Sequence, residues 1–376
     1  MKKLKVMTII GTRPEIIRLS EVIKANDREF EHILVHTGQN YDYELNQIFF
    51  DDLGLRAPDY YLSCAGATLG ATIGNVIEKS YDLIRDLKPD AVLILGDTNS
   101  ALAAIGAKRL KCPIFHMEAG NRCGDWNVPE TINRKIVDHI ADFNLPYTDY
   151  SYRYLIKEGL EERYIEITGS PIREVLNAHA DQIASSKILE KLEVTKGKYV
   201  VLSWHREENV DHPRHFESIA KAIDAVAERY RLPIVFSVHP RTYKKLEERQ
   251  VALNPLVKRI KPLGFTDYCR LQQDAFVVIS DSGTVSEESA MLRFHAILMR
   301  TSTERPEAID AGTIIQAGIT AETIIQSIDV IKKKEPRAYE IPYHYTIGDV
   351  SRRVVDVIKR NVAYINATIW RKDPED

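Results

Sequence analysis

The chain has 376 residues, of which 44% are hydrophobic and 28% charged, enough apolar material for a packed core and too much for a mainly disordered chain. Its 51 Lys and Arg against 54 Asp and Glu give a net charge of −3, without the basic excess of a general nucleic-acid binder. The four cysteines, at 64, 112, 123 and 269, form no CxxC pair, so neither a zinc site nor a disulfide framework is expected and a reducing compartment fits. The apolar run VMTII near the start is too short for the core of a signal peptide. No stretch approaches the ~20 apolar residues of a membrane span. The expectation is a cytoplasmic protein with no membrane and no nucleic-acid partner.

Residues 4–10, 33–36, 91–95, 114–117 and 143–145 read as buried strands, with helices over 16–24, 72–87 and 101–110 between them. Strand and helix in alternation imply a parallel sheet covered on both faces. Gly169 and Pro171 then break the pattern, and it restarts: strands over 199–203, 234–238, 276–280 and 296–299, helices over 216–229, 286–292 and 321–332, and a long final helix over 350–365. The length predicts two domains. The boundaries expected are 1–170 for the first, 171–355 for the second and 356–376 for a C-terminal helix. Ligands of such sheets sit at the carboxyl ends of the strands, so the loops there are the ones to read.

The first of them is Gly11-Thr-Arg-Pro-Glu15, with Arg18 one turn on. Arg13 and Arg18 stand at a helix N-terminus, which suits either an anion site or a solvated helix start. No GxGxxG and no GxxxxGK[ST] occurs, so nicotinamide and P-loop chemistry lose support. Asp97, in Gly96-Asp-Thr-Asn-Ser100, is either a helix cap or a functional acid. Glu118, in His116-Met-Glu-Ala-Gly120, holds the same position one strand later. Two such carboxylates should converge, and their repulsion would push their pKa values apart, as acid and base work near neutral pH requires. Residues 121–130, with Gly, Cys, Asp and Trp, look like a mobile lid. Glu130 then opens a helix that carries Asn133 and Arg134, which suit a wet helix face equally well.

The second half repeats the design. His205, Arg206 and two glutamates follow a strand, and His239 follows the next one. The turn Ser280-Asp-Ser-Gly-Thr284 enters a helix with free N–H groups suited to phosphate oxygens. Thr284 and Glu287 also fit a capping box. Glu288 could accept both hydroxyls of a ribose, and Arg305 stands in a further loop after a strand.

Taken in order, GTRPE, GDTNS, HMEAG, PETINR, HREEN, DSGTVSEE and TERPE resemble the non-hydrolysing UDP-N-acetylglucosamine 2-epimerases along nearly the whole chain. The resemblance implies two Rossmann-like domains of the glycosyltransferase-B type with a cleft between them, a C-terminal helix packing back on the first domain, and a homodimer. It implies a UDP-sugar partner with no cofactor and no metal. Ser282, Gly283, Thr284, Tyr268, Glu288 and Arg305 would bind UDP, with Arg13, Arg18 and His205 near the diphosphate. Asp97, Glu118 and Glu130 would be catalytic, with His205 beside them, and Asn133, Arg134, Arg206 and His239 would contact substrate.

Four departures stand out: Arg18 where the family usually has Lys, Thr284 in the third place of the turn, a shorter loop between Glu118 and Glu130, and HREEN. They resemble the branch that converts UDP-2-acetamido-2,6-dideoxy-L-talose to UDP-N-acetyl-L-fucosamine for surface polysaccharides such as capsule or O-antigen. The alternatives are a UDP-N-acetylglucosamine 2-epimerase making UDP-N-acetylmannosamine, a glycosyltransferase of the same fold, a hydrolysing epimerase and a UDP-sugar sensor.

Overall fold

The computed structural model describes residues 3–39, 43–126 and 128–372. They form two compact units, one of residues 1–178 with 346–376, the other of 179–345. The unit borders thus differ from the sequence breaks at 170/171 and 355/356. Helix Ile172–Ala178 packs on helix Arg13–Glu29 of unit 1. Glu174 accepts the N–H and the hydroxyl of Ser351 at 2.8 and 2.5 Å, which ties the returning C-terminal segment to the same unit. Helix Val350–Thr368 then lies along helix Arg13–Glu29.

Unit 1 holds strands β1 (Lys5–Ile10), β2 (Glu31–His36), β3 (Tyr60–Tyr61), β4 (Ala91–Leu95), β5 (Ile114–Met117) and β6 (Phe143–Leu145) in the order β3-β2-β1-β4-β5-β6. Every pair is parallel, with Ile9 opposite Val35 on one side and Ile94 on the other. Unit 2 holds β7 (Val200–Ser203), β8 (Ile234–Ser237), β9 (Val257–Ile260), β10 (Val277–Ser280), β11 (Ala296–Leu298) and β12 (Ile314–Gln316) in the order β12-β11-β10-β7-β8-β9, again parallel. The central strands are buried along their length because helices cover both faces. Each sheet reverses its winding once, between β1 and β4 and between β7 and β10, which opens a crevice at the carboxyl ends there.

The sequence reading misses β3, β9 and β12, which are all edge strands. Tyr60 and Tyr61 are exposed, and β9 buries neither Lys258 nor Arg259, so none of the three carries the continuous apolar run that marks an interior strand. Met7, Ile9, Val92 and Ile94 pack with Val76 and Ile84 in unit 1, and in unit 2 Trp204 meets Phe216 at a tilt and stacks with Phe236. Each such side chain stabilises its unit by roughly 1.5–3 kcal/mol. The four cysteines are free thiols. Among the described residues, no helix is long and apolar enough to cross a membrane.

Candidate active site

In unit 1 the polar side chains gather on the turns after β1, β4 and β5. Asp97 follows β4 and is not a helix cap: the 3₁₀ turn Asn99–Leu102 starts at Thr98 without a side-chain cap. Its carboxylate takes an N–H of Arg134 instead. Glu118 follows β5 with a φ of +60°, a conformation that costs a non-glycine residue about 1–3 kcal/mol. Its Oε2 accepts an N–H of Arg18, and its Oε1 accepts one of Arg134 at 2.9 Å. Arg134 also donates to the Glu118 carbonyl oxygen.

The two carboxylates thus converge as the sequence predicts, but on a shared cation, which offsets the repulsion expected between them. Arg134 is only 3% exposed. Burial opposes its charge, yet Asp97, Glu118 and Asp138 outweigh that and hold its pKa above the ordinary arginine value.

Helix Pro129–Ile140 builds this arrangement from one face, since positions 130, 133, 134, 137 and 138 recur at helical spacing. Asn133 donates to the Asp97 carbonyl at 3.0 Å and to Asn99 Oδ1 at 3.2 Å. Val137 enters the core. Asp138, fully buried, accepts from Gly120 N–H at 3.1 Å and Arg122 at 2.7 Å and lies 2.9 Å from His116 Nδ1. Burial pushes its carboxyl up, but His116, Arg122 and Arg134 together hold it below the usual range. His116 Nε2 in turn meets the Gly96 carbonyl at 2.7 Å, so Asp138 anchors the loops of both carboxylates. Gly120 has a φ of +81°, and a Cβ there would lie 2.3 Å from the Ser151 carbonyl oxygen. Glu130, half-buried, shares the helix face one turn ahead of Arg134.

The two arginines expected together at the first helix part company. Arg13 is exposed with its guanidinium 5.5 Å from the Phe49 ring. Arg18 is 2% exposed and turns inward to Glu118 and the Tyr147 ring. The expected lid is tied to its helix by Thr131, whose hydroxyl donates to the Asp125 carbonyl at 2.9 Å, and its Trp126 lies under Lys135. Asn127 of that segment lies outside the described residues.

In unit 2 the residue that organises the turns is Asp281, which the sequence reading passes over as part of a turn. Its Oδ2 accepts N–H groups from His205 at 3.0 Å, Arg206 at 2.9 Å and Asn209 at 3.2 Å. Its Oδ1 lies 3.0 Å from His205 Nδ1, which leaves Nε2 as the outward nitrogen. Burial resists this charge, but His205 and the N–H donors outweigh it and lower the pKa. One carboxylate therefore ties the β7 turn to the β10 turn.

Thr284 and Glu287 do not form the expected capping box. Thr284 has helical backbone and no side-chain cap. Its hydroxyl meets Ser282 Oγ at 3.1 Å, and Glu287 faces Arg305 Nε at 3.3 Å. The N–H groups of Gly283 and Thr284 find no acceptor among the described residues, as a phosphate-binding turn requires. Arg305 donates to the Gly283 carbonyl at 3.0 Å, and Arg206 stands 3.6 Å from Glu304. Glu288, mostly buried, accepts from Gln272 at 2.9 Å. Tyr268, half-buried, precedes Gln272 by one turn on helix Phe265–Gln273. His239 caps helix Pro240–Glu248 by accepting the Arg241 N–H at 3.3 Å, with its ring centroid 6.1 Å from that of His205.

A family model for UDP-N-acetylglucosamine 2-epimerase matches residues 23–359. The chain belongs to the UDP-N-acetylglucosamine 2-epimerase family. The structure of that enzyme from Rickettsia bellii is 45% identical with a TM-score of 0.91, covering 98% of this chain and 100% of that one. The Methanocaldococcus jannaschii enzyme, solved with UDP-GlcNAc and UDP, is 32% identical with a TM-score of 0.90, over 95% of this chain and 100% of its own. A Pseudomonas aeruginosa relative, UDP-2,3-diacetamido-2,3-dideoxy-D-glucuronate 2-epimerase, is 33% identical over 86% of this chain and 91% of its own. The family makes the chain an isomerase, a UDP-sugar 2-epimerase of the non-hydrolysing kind. Its pair of parallel-sheet units is the glycosyltransferase-B-like fold expected from sequence.

Proposed function

We propose that this epimerase inverts carbon 2 of a UDP-2-acetamido sugar by elimination and re-addition of UDP, with UDP-2-acetamido-2,6-dideoxy-L-talose as substrate and UDP-N-acetyl-L-fucosamine as product, for bacterial surface polysaccharide. The hydrogen on carbon 2 is not next to a carbonyl and is weakly acidic. As the bond from carbon 1 to the UDP oxygen breaks, a carboxylate takes that proton and a double bond forms between carbons 1 and 2. A proton then returns to the opposite face of carbon 2 as the UDP oxygen rejoins carbon 1. The observation that carries this reading is the meeting of Asp97 and Glu118 on Arg134, with Glu130 and Asn133 on the same helix face. Asp97, Glu118 and Glu130 divide the proton work. The unit 2 turn, with Arg206, His205, Arg305, Glu288, Tyr268 and His239, binds UDP and its developing charge. We assign cytoplasmic residence on the cysteine pattern and the apolar-run lengths of the sequence, and a homodimer on the family resemblance alone.

The short loop before Glu130, Arg18 and the HREEN turn favour the 6-deoxy sugar. The names of the relatives favour a second reading, UDP-N-acetylglucosamine to UDP-N-acetylmannosamine. The Pseudomonas aeruginosa relative, named for a third sugar, supports variation of substrate at this level of identity. The test is incubation with each UDP-sugar in deuterated water, without an acceptor, followed by NMR of the products. Epimerisation of the talose compound with deuterium at carbon 2 is expected. Comparable kcat/KM for UDP-N-acetylglucosamine would sink the substrate assignment, and product without deuterium would sink the proton mechanism.

A further inference from the structure

Glu15 is the one acid of the Gly11–Glu15 turn, and the reaction as derived above does not use it. It is 0% exposed, at the crevice between β1 and β4. Its Oε2 accepts the Gly11 N–H at 3.1 Å and the Thr12 hydroxyl at 2.7 Å, both on the β1 turn. The Ser100 hydroxyl reaches the same oxygen at 3.5 Å from the β4 turn, where the Thr98 hydroxyl also faces the carboxyl. Thr98 and Ser100 follow Asp97 by one and three residues and share its turn. Ser100 is further held by Thr37, 3.2 Å away at the end of β2.

We propose that Glu15 is a positioning residue: its buried carboxyl cross-links the β1 turn that carries Arg13 to the β4 turn that carries Asp97, and thereby fixes where Asp97 stands. The proposal rests on the reading of Asp97 as a proton-transfer group. A link of this kind has a counterpart in unit 2, where Asp281 joins the β7 and β10 turns at the equivalent crevice.

The two links differ in charge. Asp281 is held by a histidine and several N–H donors, whereas among the described residues Glu15 meets no cation. Burial pushes its pKa up to about 7, against the pull of Thr12, Gly11 and Thr98. The Thr98 hydroxyl, as a donor toward this carboxyl, favours its charged form and so works against burial. The charged and titratable groups on the surrounding elements are otherwise committed. Arg18 pairs with Glu118 and Asp97 with Arg134. Arg13 lies out over Phe49, and Lys359 of the C-terminal helix meets Glu29 at the far end of the helix that Glu15 begins. Burial keeps His36 at the end of β2 neutral, its pKa pushed down to about 4.

The experiment compares Glu15→Gln, Glu15→Ala and Thr98→Val in the full chain, reading kcat and KM against pH with the UDP-sugar that wild type turns over, UDP affinity by calorimetry, and amide exchange of peptides covering residues 96–102. Glutamine keeps the acceptor of the link but cannot titrate. It should hold kcat within about tenfold and lose the limb near neutral pH. Alanine cuts the link; a displacement of about 1 Å at a reacting group costs about 10²-fold, so kcat should fall by about that much, with KM and UDP affinity unchanged and faster exchange over 96–102. Thr98→Val removes a donor that lowers the pKa, so the limb should move to higher pH. Wild-type kcat, pH profile and exchange in Glu15→Ala and Thr98→Val would overturn the proposal. So would equal losses in Gln and Ala accompanied by loss of UDP binding, because the role would then be global. If the Glu15 variants do not fold, Thr98→Val decides alone by the direction of its limb. If wild type turns over no UDP-sugar, the functional reading fails by itself, and the exchange rates of Glu15→Ala still test the link.

Discussion

Arg134→Met removes the cation on which Asp97 and Glu118 meet and keeps a side chain of similar reach. The guanidinium is 3% exposed and Glu118 is 5% exposed, so water cannot replace what is lost. Breaking a buried pair by removing one partner costs about 3–5 kcal/mol, chiefly through the charge left behind. Arg18 still holds the other oxygen of Glu118, and Asp97 retains some contact with solvent, which puts the expected loss near the lower bound, about 3 kcal/mol. For a unit of roughly 200 residues, each kcal/mol moves Tm by about 2–4 °C, so the variant should melt about 6–12 °C below wild type. The assay is thermal and urea denaturation of Arg134→Met, Asp97→Asn and the double variant. Asp97→Asn removes the excess negative charge that Arg134→Met leaves while the Arg18–Glu118 pair stays intact, so in the Arg134→Met background it should recover stability, with a coupling of about 0.5–3 kcal/mol. Losses that simply add, or an Arg134→Met variant that melts with wild type, would refute the claim that this arginine is the common counter-charge.

Three more outcomes are expected. Glu15, raised from 4.5 to about 7, keeps its proton in the folded chain where the unfolded chain has lost it. Its contribution is therefore complete below about pH 4.5 and lost as pH rises through 7, about 3 kcal/mol in all. Glu15→Gln should remove that slope in urea titrations between pH 5 and 8, and parallel slopes for variant and wild type would contradict it. Asp281→Asn turns an amide N–H toward donors that need an acceptor and should cost about 1–3 kcal/mol while weakening UDP binding; calorimetry showing undiminished UDP affinity would separate that aspartate from the proposed UDP site. Gly120→Ala brings a Cβ to 2.3 Å from a backbone carbonyl, whereas Gly124→Ala, also at positive φ, meets nothing within 4 Å. The first should lose about 2–4 kcal/mol and the second about 1 kcal/mol, and equal melting shifts would show that backbone strain alone matters.

The interior strands and most long helices were legible because burial on both faces forces unbroken apolar runs, as in Ala91–Leu95 and Val277–Ser280. Edge strands such as Val257–Ile260 carry no such run and escaped. Residues just past strand ends, among them Asp97, Glu118 and His205, were legible as candidates because parallel sheets gather ligands there. What they touch was not. Nothing local in the sequence says that Arg18 turns inward while Arg13 turns outward, or that Arg134 reaches both acids. Asp138 was within reach of a helical-face reading, lying four residues beyond Arg134 and eight beyond Glu130. Asp281 was hidden because Asp in a turn is so often only a turn residue. The φ of +60° at Glu118 has no sequence signature, since αL glycines or asparagines are what such a position leads one to expect.

Unit 1 is interrupted in the chain by the whole of unit 2, and this reverses the order in which the two can be finished during synthesis. At about 5–20 residues per second, the ribosome completes unit 2 before it makes helix Val350–Thr368. Until that helix emerges, helix Arg13–Glu29 lacks the neighbour that lies along it, and the apolar positions Val354, Val357, Ile358 and Ile365 are not there to be buried. The half that begins first is therefore completed last. A nascent chain released shortly before residue 350 would carry every residue of the Ser280–Thr284 turn but an unfinished unit 1 with an open apolar flank, a species suited to capture by chaperones rather than to catalysis.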